Sequence, residues 1–79
     1  MGGAGSNETN LHAVLRQLAV NRSNVVIEDV LPDPKAVAGM IAVFESSSLF
    51  DVTEDQGRHI LRSSPDLLPV LRDFYRIDP

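Results

Sequence analysis

Not one of the 79 residues is a cysteine, so neither a disulfide nor a thiolate-held metal can take the place of a hydrophobic core. A chain this short buries only about 60% of the surface that its unfolded form exposes. With 43% hydrophobic residues the core is adequate but thin, and there is no room for a catalytic fold with a large substrate cleft. Small secreted domains usually rely on disulfides or metals, so the composition predicts an intracellular, cytoplasmic protein. No run of residues reaches the length of a membrane span, and the start lacks the basic flank and apolar stretch of a secretory signal.

The formal charge of −4 opposes nucleic-acid binding, which needs clustered cations to displace counterions from phosphates. Six of the seven basic residues are arginine, a bias that either genomic base composition or a surface built to grip carboxylates with guanidinium forks would produce.

Residues 1–8 begin MGGAGS and predict a flexible tail or a cloning remnant. The same letters satisfy the myristoylation pattern on Gly2, with Ser6 in the required place, which makes a membrane-tethered adaptor or structural protein an alternative. No polybasic segment follows to supply the second anchor that one acyl chain needs.

Beyond the tail, apolar spacing points to helices. Leu11, Val14, Leu15 and Leu18 fall at i, i+3, i+4 and i+7 and predict a helix over residues 9–22. Val25 to Leu31 reads as a short helix or an extended connector ended by Pro32. Asp33-Pro34 supplies a cap followed by proline at the first helical position, predicting a helix to about Glu45 with Val37, Met40, Ile41 and Phe44 on one face. Leu49 and Phe50 then act as loop anchors. Thr53 to Gln56 matches a capping box and predicts a third helix over residues 54–63, with Ile60 and Leu61 inward. Near the end, a turn over Pro65 to Leu68 precedes a helix that starts at Pro69, and Leu67, Leu68, Leu71, Phe74 and Tyr75 close the core. The expected fold is therefore all-α, a compact bundle of four to five short helices forming a single domain over residues 9–79.

Reactive chemistry is poorly supported. Ser46 to Ser48 lack the strand-turn-helix setting of an exposed nucleophile, and His12 and His59 both fall within helical patterns. Asp51, Thr53 and Asp55 alternate like the first ligands of a calcium loop, but Gln56 and Arg62 stand where that loop needs glycine and glutamate. Asp55 and His59 offer half of a zinc site without a third ligand. The expectation is thus no enzyme, no cofactor and no metal. Ser64-Pro65-Asp66-Leu67-Leu68-Pro69-Val70-Leu71 resembles the proline-punctuated helix starts of heat-shock-chaperonin-binding and nucleotide-excision-repair-factor-binding modules. Ala38-Gly39-Met40-Ile41 followed by Glu45 resembles the peptide-binding helix of the poly(A)-binding-protein C-terminal domain. Each resemblance spans a short segment and assigns no family, and both imply helical protein recognition.

One constellation stands out. Arg58 and Arg62 are four residues apart, as are Arg72 and Arg76, so on two adjacent helices the four guanidinium groups would converge as a receptor for carboxylates. Glu54, Asp55, Asp66 and Asp73 are near enough in sequence to neutralise them instead. The sequence therefore predicts a docking module that takes an amphipathic helix or acidic peptide in a groove, with Met40, Phe44, Leu49 and Phe50 as floor and the four arginines as rim. A self-associating assembly domain, a homodimer for example, is the other reading.

Overall fold

The computed structural model describes residues 7–77 and corrects the fold class. The chain is mixed α/β: α1 (Asn7–Asn21), β1 (Asn24–Val26), α2 (Ile27–Val30), α3 (Pro34–Glu45), β2 (Phe50–Asp55), β3 (Arg58–Ser63) and α4 (Leu67–Phe74). The strands form one antiparallel sheet in the order β1-β3-β2.

The helices follow local chemistry. In α3 the Asp33 side chain accepts from the Lys35 backbone N–H at 3.1 Å, and Pro34 fills the first position, where no N–H is needed. Helix α4 starts two residues before Pro69, which therefore stands third in the helix. The first four N–H groups of a helix have no partner within it, so the ring costs no hydrogen bond there.

Residues 54–63 overturn the all-α expectation. The supposed third helix is a hairpin in which Asp55 pairs with Arg58 across the two-residue turn Gln56-Gly57. Both turn residues have positive φ, 53° and 79°, the combination that matches the right-handed twist of paired strands. Thr53 thus caps nothing and lies within β2. Once β3 exists, the β-branched run at residues 25–27 gains a partner: Val25 lies opposite Leu61 and Val26 opposite Ile60. The chain then turns into the single-turn α2, giving strand and helix in succession where a short helix or a connector was expected.

The sheet has two unlike faces. Val25, Leu61, Val52 and Phe50 point to the helices and join the core with Val14, Leu18, Ile27, Met40 and Phe44. The other face carries Asn24, Arg62 and Asp51 in one row, Val26, Ile60 and Thr53 in the next, and Arg58 with Asp55 beyond them.

Candidate recognition surface

The residues expected to form one groove are dispersed. Met40 is fully buried and Phe44 is 1% exposed, so both are core and neither offers a floor to a partner. Phe50 is half-buried and meets the Phe44 ring edge-on at 4.8 Å, while Leu49, 50% exposed, sits just before β2. Arg58 and Arg62 do share a face, because four residues is an even number and a strand repeats every two, but that face is the open side of the sheet. Arg58 pairs with Asp29 of α2. Arg72 donates to the Ala19 carbonyl at 2.6 Å, closing the end of α1, and Arg76 lies past α4 with φ 58°. The four arginines therefore do not converge, since two belong to the sheet and two to the C-terminal helix and its end. Gly2 lies outside the described residues.

Two polar clusters remain to be weighed. Glu28 of α2 accepts from the His59 backbone N–H at 2.8 Å through Oε1 and contacts the His59 Nδ1 at 2.6 Å through Oε2. It does so where β1 has ended opposite Ile60, so the carboxylate takes up the next N–H of β3 in place of a strand. Partial burial acts to raise the Glu28 carboxyl, but hydrogen bonds from the His59 ring and backbone and from its own backbone N–H, with the imidazole charge, outweigh it. The carboxyl is held below its usual range. A carboxylate that orients an imidazole is also how general bases are built. The 280 Å³ hollow beside this pair is lined otherwise by Leu31, Pro32, Pro34, Val37, Ala38 and Ile41, none of which offers a nucleophile. With Asp29–Arg58 next to it, the pair ties α2 to β3. Asp51, Thr53 and Asp55 alternate along one face of an extended strand instead of winding around a loop, and among the described residues no group of three or more His, Asp or Glu side chains is placed to hold a metal ion.

The second cluster joins α1 to the C-terminus. His12 Nδ1 meets the Tyr75 hydroxyl at 2.7 Å, Arg16 lies over the Tyr75 ring at 5.5 Å, and the Phe74 ring stacks on His12 with centroids 6.3 Å apart. Burial pushes the Tyr75 hydroxyl above its usual range, partly offset by the Arg16 charge.

Helix α4 carries two of the exposed large hydrophobic residues, Val70 and Phe74. Leu71 is buried, but Phe74 and Val70 are 66% and 59% exposed, so Phe74 does not close the core as its sequence position suggested. On the other flank of the helix, Pro65, Leu68, Pro69 and Ile77 line a groove of about 590 Å³ with Arg22, Arg72 and Asp73 at its edge. Arg22 reaches this position because the chain leaves α1 in the left-handed conformation, with φ 73°. The helix end near residue 22 is legible in the sequence, but the direction in which it aims Arg22 depends on that single dihedral.

No protein-family model matches the chain, and comparison with curated proteins and with solved structures finds no match. Among the described residues no helix is long and apolar enough to cross a membrane.

Proposed function

We propose that the chain is a non-enzymatic recognition module in which the groove beside α4 receives an acidic, amphipathic helix of a partner protein. The observation that carries this reading is the surface of α4 itself. One side seals the core through Leu71, while its flanks leave Val70 and Phe74 in solvent on one side and the Leu68–Ile77 groove on the other. Exposed apolar surface rimmed by charge is typical of helix-in-groove binding. The groove lining includes Arg22 and Arg72 against one aspartate in a chain of net charge −4, which favours an acidic ligand, with Arg22 as the principal contact because Arg72 also donates to the Ala19 carbonyl.

The reading is tested with fluorescent amphipathic peptide helices of about 15 residues that share one leucine stripe and differ only in a glutamate or lysine rim. The glutamate series is expected to bind more tightly to the wild type, and Arg22→Glu to reverse the order. Equal affinity of both series for both proteins would refute it. Sedimentation of the free protein separates partner binding from self-association, since a dimer closed over Val70 and Phe74 would be abolished by Phe74→Asp.

A further inference from the structure

The two edges of the sheet are treated differently. At one edge β1 is only three residues long, α2 begins directly after it, and the outward Asn24 carbonyl accepts from the Asn21 side chain at 3.1 Å. That edge is short and capped. The opposite edge, β2, runs for six residues.

The phase of β2 follows from one bond. The Ser64 N–H donates to the Leu49 carbonyl at 2.8 Å, so Leu49, Asp51, Thr53 and Asp55 turn their backbone groups toward β3. Phe50, Val52 and Glu54 turn theirs away. The Phe50 N–H is taken by the Ser47 carbonyl at 3.4 Å. The N–H groups of Val52 and Glu54 and the carbonyls of Phe50, Val52 and Glu54 have no partner among the described residues, which leaves the alternating pattern that a further strand would read.

We infer that the open edge of β2 receives an extended, basic peptide as a fourth strand, at a site separate from the α4 groove. The charge of the edge selects this occupant. Asp51 and Asp55 on one face and Glu54 on the other are exposed, and β2 carries no basic residue; Arg62 and Arg58 stand opposite Asp51 and Asp55 on β3, but Arg58 turns to Asp29. Lysine or arginine on alternate positions of an incoming strand projects to one face and would meet Asp51 and Asp55 there as cross-strand neighbours. A second copy of the chain fits badly. With the outward groups of both strands facing, one antiparallel register sets Asp51 of each copy opposite Asp55 of the other, and the adjacent register leaves acidic side chains as diagonal neighbours. Leu49, half-exposed at the start of the edge, gives the peptide an apolar contact.

The test uses a peptide of about eight residues alternating valine with lysine, the same peptide with glutamate for lysine, and the lysine peptide N-methylated on alternate residues. Binding of the lysine peptide is expected to slow hydrogen exchange at the Val52 and Glu54 amides while leaving Arg22 and Ile77 unshifted in NMR spectra. The triple variant D51K/E54K/D55K, whose changes lie on exposed side chains, is expected to bind the lysine peptide about tenfold more weakly and to prefer the glutamate peptide. Glu54→Pro, which removes one outward N–H and no ladder bond, keeps a dispersed spectrum and weakens binding. Undiminished binding of the N-methylated peptide would mean that charge alone attracts it, and the inference would fall. It would fall equally if exchange at Val52 and Glu54 were unchanged by saturating peptide, or if the free protein dimerised through this edge.

Discussion

Gly57→Ala discriminates the hairpin from the helix that the capping-box pattern suggests, because the two structures predict opposite signs. Gly57 has φ 79°, and a Cβ built there meets no atom within 4 Å, so the substitution introduces no clash and its effect is purely conformational. An L-residue in the left-handed region is disfavoured by about 1–2 kcal/mol. Restricting the unfolded chain returns about 0.4–1 kcal/mol, which leaves a net destabilisation of roughly 1 kcal/mol. For a domain of this size that lowers Tm by about 4–8 °C. Were residues 54–63 helical, replacing an interior glycine by alanine would instead stabilise by about 1 kcal/mol. Thermal unfolding followed by circular dichroism reads the sign directly. A chemically synthesised chain with D-alanine at position 57 provides the control, since that residue prefers positive φ and should match or exceed the wild type. An unchanged or raised Tm for the L-alanine protein would refute the turn geometry and the register built on it.

Two further substitutions probe packing and electrostatics. Phe44→Ala empties a core position that also supports Phe50 and is expected to lower the urea unfolding free energy by about 3–5 kcal/mol, enough to unfold a large share of a domain this small. Because the Glu28 carboxyl is lowered in the fold, its contribution is present above the ordinary carboxylate range and is lost as pH falls through the lowered value. Glu28→Gln should therefore destabilise the protein at neutral pH and flatten the acid limb of the stability curve, as measured by urea titrations at a series of pH values.

How far the sequence reached depends on the distance over which each element is specified. Helices α1 and α3 are written locally, in the Leu11–Leu18 stripe and in Asp33-Pro34, and both were legible. The hairpin was not. Gln56-Gly57 lacks the asparagine or aspartate that announces such turns, and Thr53 to Gln56 satisfies a capping pattern by coincidence. Alternation along β3 is also blurred, because Ile60 lies on the open face beside Arg58 and Arg62, while His59 and Ser63 share the inner face with Leu61. The consequence spreads: without β3 the run at Val25 has no strand partner, and Arg58 and Arg62 fall on a helix beside the one that carries Arg72 and Arg76. Phe44 reads as available for the same reason, since the Phe50 ring of β2 packs against it, and Met40 is buried in the same core. Val70 and Phe74 lie on the flank of an eight-residue helix, where a small rotation decides between core and solvent, and apolar spacing does not fix that rotation.

The recognition function meets its most direct test in an NMR titration of the labelled protein with the glutamate-rimmed peptide helix. The account predicts saturable amide shifts concentrated at Leu68, Arg72, Ile77 and Arg22, with Val26 and Ile60 on the open sheet face unmoved. Shifts centred on that sheet face, or none at millimolar peptide, would contradict it.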